Sequence, residues 1–270
     1  MINLCFFFSI VVYISILILS AQVAQLVEQA TENRCVGGSI PPLGTFVLLL
    51  FLFSCSGEDN YYPDTQGKHW NYKISITSDY TNSRDEMRLS VTNIKTVIGG
   101  KGTTFSKLYS NGDVLTFFKN KQDDSLSRIA AFVNDSEGLL EPVKKIINPS
   151  VDFKITNWKN KNQLFFTKGF QPPLRGFKPN TIFDMNFKII SHNASVKVKA
   201  GNFSECVHVK GNGSTEFIAD TRASPNKVTI ISDEWICPNI GIVKEKRIES
   251  TDSLVFGTQE YTRELISINK

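Results

Sequence analysis

From residue 68 onward, apolar residues fall at every second position, and no long amphipathic helical stripe interrupts the pattern. In the stretch HWNYKISIT, Trp70, Tyr72, Ile74 and Ile76 share one face, with Asn71, Lys73 and Ser75 on the other. Side chains alternate across a strand, so this period marks a half-buried β-strand. Met87, Leu89 and Val91 repeat it in EMRLSVTNI. VLTFF and SRIAAFV follow, then TIFDMNFKII, ASVKVKA, ECVHVKG, STEFIA, KVTIISDEWIC, GIVKEKRIE and EYTRELISI. GGKG at 99–102 and SNGD at 110–113 are turn signals, and Asn111-Gly112 marks a hairpin. GLLEPVKKII, at 138–147, has the composition of a short helix, weakened by Pro142. The pattern predicts an all-β, antiparallel single domain of about ten or more strands, a strongly curved sheet or open β-barrel.

The residues before this domain follow other rules. Ala24-Gln25-Leu26-Val27-Glu28-Gln29 resembles a translated transfer-RNA D-arm, and Gly38-Ser39-Ile40-Pro41 resembles a translated T-arm. The two blocks share a frame, are spaced as those arms are, and place Glu32 on the anticodon. Residues 20–44 therefore look like a translated tRNA gene, and 1–44 as a spurious extension that takes Cys5 and Cys35 out of the cysteine accounting. Residues 45–54 then read as the remnant of a signal peptide. Phe46 to Phe53 is an apolar run too short to span a bilayer but suited to the core of an export signal. It ends in Leu52-Phe53-Ser54-Cys55, followed by polar Ser56-Gly57-Glu58-Asp59-Asn60.

That junction resembles the lipobox of bacterial lipoproteins, although Phe53 departs from the usual small or aliphatic residue. The resemblance implies a diacylglycerol on Cys55, cleavage before it and acylation of the new amino terminus. Several acyl chains anchor a protein stably where one holds it only marginally. Ser56 after the cysteine implies sorting to the outer membrane, facing the periplasm. The membrane, reached through Cys55, is thus one implied partner and another envelope protein a second. Residues 55–66 read as a polar lipidated tether and 67–270 as the β domain.

Charge adds little. The chain has 30 basic and 26 acidic residues, net +4. The lysines of VKVKAGNF and KEKR fall on one face of strand-like segments, as on a solvated sheet. No basic stripe with interleaved aromatics suggests a nucleic-acid groove. Cys206 and Cys237 are the remaining cysteines, an even pair in strand-like segments that can neighbour each other, and an oxidising compartment favours a disulfide between them. Two buried thiols are the alternative.

Three motifs form a set: Tyr-x-Pro-x-x-x-Gly-x-x-Trp-x-Tyr at 61–72, Ala-Gly-x-Phe-x-x-Cys at 200–206, and WICPNIGIVKEKRIE at 235–249. Together they resemble the TapB-like group of β-rich secreted bacterial proteins, many of them lipoproteins. That resemblance implies fold and location more than activity. Each motif also has a structural reading: Pro63 and Gly67 form the turn into the first strand, Trp70 plugs one end of the sheet, and Ala200-Gly201-Asn202 is a hairpin turn.

Chemistry is sparse. His69, His192 and His208 lack metal-ligand spacing to Cys or Glu, and no serine-hydrolase elbow, zincin, phosphate-loop or Cys-x-x-Cys motif occurs. Asp123-Asp124 and Asp233-Glu234 read as turn and solvent-face residues. No catalytic residue, metal or cofactor is implied. The stretch 148–180 carries Pro149, Pro172, Pro173 and Pro179 with Phe165, Phe166, Phe170 and Phe177. It reads as a strand or two and then an irregular crossing segment whose phenylalanines either plug the barrel or line an apolar ligand site. The composite expectation is a non-enzymatic, lipid-anchored envelope protein of structural or protein-interaction type. The alternative is a periplasm-facing carrier or chaperone for an apolar ligand.

Overall fold

The computed structural model describes residues 59–79, 83–132, 145–164, 181–218, 224–253 and 256–269. Cys55, the signal-like and tRNA-like stretches, and Phe165, Phe166, Phe170 and Phe177 lie outside them.

The described residues form one sheet of twelve antiparallel strands: β1 (His69–Ser78), β2 (Ser83–Gly99), β3 (Gly102–Tyr109), β4 (Val114–Asn120), β5 (Leu126–Phe132), β6 (Lys145–Asn148), β7 (Asn157–Gln163), β8 (Ile182–Val198), β9 (Gly201–Phe217), β10 (Asn226–Cys237), β11 (Gly241–Thr251) and β12 (Thr258–Asn269). Spatial order runs β6-β5-β4-β3-β2-β1-β12-β11-β10-β9-β8-β7. Consecutive strands therefore pair, except β6 with β7, and β1 also pairs with β12 along ten residues, from His69↔Asn269 to Ser78↔Gln259. The two edges of the sheet, β6 and β7, are consecutive in the chain. They meet where Asn160 Nδ2 donates to the Ile147 carbonyl at 3.0 Å, so the sheet is a nearly closed up-and-down barrel.

The alternation in β1 sets its buried side: Trp70, Tyr72, Ile74, Ile76 and Ser78 are buried. The register places Leu265, Arg263, Tyr261 and Gln259 of β12 beside the last four of these. On the other face lie ion pairs from Lys73 to Glu86, Lys244 to Glu264 and Lys246 to Glu260. The lysines of KEKR are thus on the polar outside, while Arg247 of the same motif turns inward and is buried.

Bulges bend the sheet. The β8–β9 ladder shifts register between Ile189 and Ser191, between Ser191 and Ala194, and between Ala194 and Val196. Glu205, at φ 57°, is in the left-handed region beside the last of these. A bulge adds local twist and curvature without ending a strand. For that reason TIFDMNFKII and ASVKVKA, expected as separate strands, are one 17-residue strand.

The expected break between ECVHVKG and STEFIA is also absent, because β9 runs through Gly211 and Gly213. A Cβ on Gly211 would sit 2.8 Å from Phe187 Cε1 and 2.3 Å from Ser232 Oγ, and one on Gly213 would sit 2.9 Å from Met185 Cγ. The glycines make room for large β8 side chains that pack over β9. Of the helix-like GLLEPVKKII, 138–144 lie outside the described residues, while 145–147 belong to β6, which pairs with Leu126, Ser127 and Arg128 of β5; there sheet pairing overrides the weak local helix preference.

The supposed tether is shorter than the sequence suggests. Residues 59–66 pack across one end of the barrel. Asn239 N donates to Asn60 O at 2.8 Å. Tyr61 meets Phe153 edge-on at 5.1 Å and Tyr62 stacks on it at 6.0 Å, and Pro63 is buried. An aromatic pair and a proline give this segment enough apolar surface to dock, despite its polar composition.

Candidate functional site

The most unusual chemistry of the described residues lies inside the barrel, on the inward faces of β10, β11 and β12. The register aligns Glu234 with Glu245 and Glu245 with Arg263. One step further on, Ser232, Arg247 and Tyr261 align; beyond them come Ile230, Glu249 and Gln259. A sheet packed only with aliphatics would not need these groups. Here all three of these inward rungs carry charge.

The two deeper rungs are joined by an ion pair. Arg247 Nε donates to Glu249 Oε1 at 2.7 Å, and Nη2 donates to the Gln163 carbonyl at 2.7 Å. The two side chains are 4% and 2% exposed. Burial of this kind is tolerable only with such pairing, because an unpaired buried charge is very costly.

In the first rung, Arg263 Nη2 lies 2.8 Å from Glu245 Oε2, and the guanidinium lies over the Tyr72 ring at 5.3 Å. Burial pulls the Arg263 pKa down, but Glu245 and the surrounding tyrosines outweigh it and hold the pKa above its usual value. Glu234 stands directly across from Glu245, and none of the salt bridges among the described residues includes it. Burial first, and the Glu245 charge second, push its pKa from 4.5 to about 7. Glu234 is therefore a carboxyl that takes up or releases a proton near neutral pH.

Toward the barrel end covered by residues 59–66, Trp70 Nε1 donates to the Ile240 carbonyl at 2.8 Å and Tyr72 OH to the Ile242 carbonyl at 3.0 Å. Gly241, at φ +93°, sits between those carbonyls at the start of β11. Lys107 lies over the Trp70 ring at 4.6 Å. Burial and, after it, repulsion from Arg263 lower the Lys107 pKa to about 8. A cavity of about 60 Å³ remains between Tyr61, Tyr62, Trp70, Tyr72, Lys107 and Arg263. That holds a few waters. It is far below the roughly 300 Å³ at which pockets begin to enclose organic ligands.

Larger spaces, of about 310 and 350 Å³, lie on the outside of the sheet. Lys73, Arg84, Lys244, Lys246 and Glu260 are among the residues lining the first; Lys73, Glu86 and Lys199 help line the second. Both are open to solvent, the first largely polar and the second bordered also by Met87 and Ile266.

The candidates named from sequence are dispersed. Cys206 and Cys237 are joined by a disulfide between β9 and β10, with Cα atoms 4.1 Å apart. His69 is held by Thr92 Oγ1 at 2.7 Å and Asn71 Oδ1 at 3.0 Å, and His192 is exposed. His208 bonds Asp233 Oδ1 at 2.8 Å and stacks on Trp235 with ring centroids 4.5 Å apart. Among the described residues no group of three His, Cys, Asp or Glu side chains is placed to hold a metal.

Asp123 lies in the turn between β4 and β5, as its reading as a turn residue required. Asp233, mid-strand, lies in the outward phase of β10, in keeping with a solvent-face reading, whereas Glu234 corrects its reading by facing the interior. The signal was present in KVTIISDEWIC, where Val228, Ile230, Ser232, Glu234 and Ile236 occupy one phase of the alternation.

No known family's sequence profile matches the chain, and no curated protein matches it. Two solved structures are similar. One is a protein described as exported and as having a YmcC-like fold, from Bacteroides fragilis; the match covers 78% of this chain and all of that one, at 14% identity and a TM-score of 0.42. The other is described as a lipoprotein from Parabacteroides distasonis; it matches over 78% of this chain and 99% of its own, at 16% identity and a TM-score of 0.40.

Proposed function

We propose that this is a lipid-anchored cell-envelope protein, acylated at Cys55, whose barrel acts through its outer surface in a structural or protein-interaction role. The observation that carries the reading is how tightly the described residues fill the interior. Trp70, Phe105, Phe153, Leu126, Met185 and Leu265 are each at most 2% exposed, and the cavity at the covered end is about 60 Å³. A carrier for an acyl chain needs several times that volume. The salt-bridged outer face is the surface left to contact a partner.

Three further features support the placement. The apolar run, Ser54 and Cys55 have the order of a lipobox. The Cys206–Cys237 disulfide suits an oxidising compartment. The motifs resembling the TapB-like group belong to secreted proteins. Ser56 favours the outer membrane, with the barrel facing the periplasm.

The test is the mass of the amino-terminal peptide of protein extracted from bacterial membranes. A triacylated peptide beginning at Cys55, absent from a Cys55→Ser variant, is the expected result. An unmodified Cys55 inside a longer peptide would overturn the anchor. Native mass spectrometry of the same extract separates the roles, because a stoichiometric co-purifying lipid would favour the carrier.

A further inference from the structure

The hairpin of β2 and β3 extends past the start of β1. β1 pairs with β2 only as far as His69↔Thr92, whereas β2 continues to Gly99 and pairs with β3 there. The projecting part exposes Ile94 (41%), Val97 (50%) and Ile98 (75%). Isolated apolar residues on a surface mean little, but three within five positions at a loop tip make a patch. Ile94 falls at the register shift between Asn93 and Lys95. Exposed Lys95, Lys101 and Lys121 flank the patch; Lys121 N donates to Lys101 O at 3.0 Å, which sets two of these lysines side by side. Asp123 and Asp124 are in the next turn.

The chain arriving from Cys55 contacts the base of this hairpin. Thr96 Oγ1 and Asn93 Nδ2 both donate to the Asp64 carbonyl, and Asn60 Nδ2 reaches Asp64 Oδ1 at 3.5 Å. Packing begins by Asn60, whose carbonyl is bonded to Asn239. The five steps from Cys55 to Asn60 span at most about 18 Å when extended. An acylated Cys55 therefore holds this end of the barrel against the headgroups, within reach of the tip.

We propose that the β2–β3 tip is a second membrane contact, in which Ile94, Val97 and Ile98 enter the interface of the bilayer and Lys95, Lys101 and Lys121 meet anionic headgroups. This rests on the acylation of Cys55. Apolar side chains that enter the headgroup region and lysines that remain at its surface are the usual composition of an interfacial contact. The contact fixes the barrel's orientation, with the end covered by residues 59–66 toward the membrane and the opposite end, near Lys227, away from it.

The test uses lipidated protein in vesicles containing anionic phospholipid, with an environment-sensitive fluorophore on Ile98→Cys or, as the control, on Lys227→Cys. The proposal predicts a blue-shifted Ile98 label, quenched by nitroxide-bearing lipid about threefold or more relative to the Lys227 label. Equal quenching at the two positions, in protein that floats with the vesicles, would overturn the docking while leaving the anchor intact. Protein that does not float shows that the anchor itself is wrong, and the docking falls with it. A label at position 98 that is already blue-shifted without vesicles means that a second copy or another protein covers the tip, which also refutes the proposal.

Discussion

Replacing Glu234 with glutamine removes a carboxyl that the fold keeps from ionising. Its pKa rises from 4.5 to about 7, mainly through burial and then through Glu245 across the ladder. Between those values the folded state binds more protons than the unfolded state, so stability falls as pH rises. The advantage of the protonated group is complete below pH 4.5 and gone once pH has passed 7. A displacement of that size corresponds to about 3 kcal/mol for a fully desolvated group. Glu234 is only partly buried, so screening reduces the figure to about 1–2 kcal/mol. Glu234→Gln keeps the shape and has no charge to lose. It should match the parent at pH 5 and exceed it by about 1–2 kcal/mol at pH 8, or by roughly 3–6 °C in Tm for a domain of this size. Urea unfolding of both proteins at pH 5, 6, 7 and 8, at constant ionic strength and with the disulfide intact, measures the difference. The carboxylates held below their usual pKa, Glu86 and Asp184 among them, act at lower pH and are common to both proteins, so they cancel. Parallel stability profiles, or a variant weaker than the parent at pH 8, would refute the inward placement of Glu234 against Glu245.

Two other substitutions probe the frame. Cys206 and Cys237 are separated by 31 residues, and removing that cross-link with a Cys206→Ala/Cys237→Ala pair should cost about 3 kcal/mol in chemical denaturation; reducing the parent should do the same, and insensitivity to reductant would count against the bond. Gly211→Ala places a methyl 2.8 Å from Phe187 Cε1, and that ring is stacked on Trp158 at 5.4 Å and cannot easily yield; a loss of about 1–3 kcal/mol should appear in thermal melts, and an unchanged Tm would mean that β8 and β9 are less closely packed.

Strand phase was legible wherever one face is apolar. Trp70, Tyr72, Ile74 and Ile76 gave β1 from the letters alone, and Asn111-Gly112 gave the turn after β3. What failed were inferences from single residues. Gly211 and Gly213 resemble a break but serve as a floor for Phe187 and Met185, a role defined only by a neighbouring strand. The polar letters of residues 59–66 suggested a free tether, yet Tyr61, Tyr62 and Pro63 dock, because Phe153, far along the chain, gives them a surface. Glu234 was assigned to solvent because carboxylates usually sit there, although its phase within β10 pointed inward. The interior ionic rungs depend on pairing between Glu245 and Arg263, on separate strands, which no local pattern reports.

The pairing of β1 with β12 constrains the order of assembly. As the chain is made, β1 can zip to β2 within moments, but its other flank stays bare until about 180 more residues have followed. Throughout that interval the newborn chain offers an open backbone edge to any passing strand, and loop closure over so long a separation is slow. β12 acts as the latch: its loss would leave the other hairpins able to form and the barrel unable to shut.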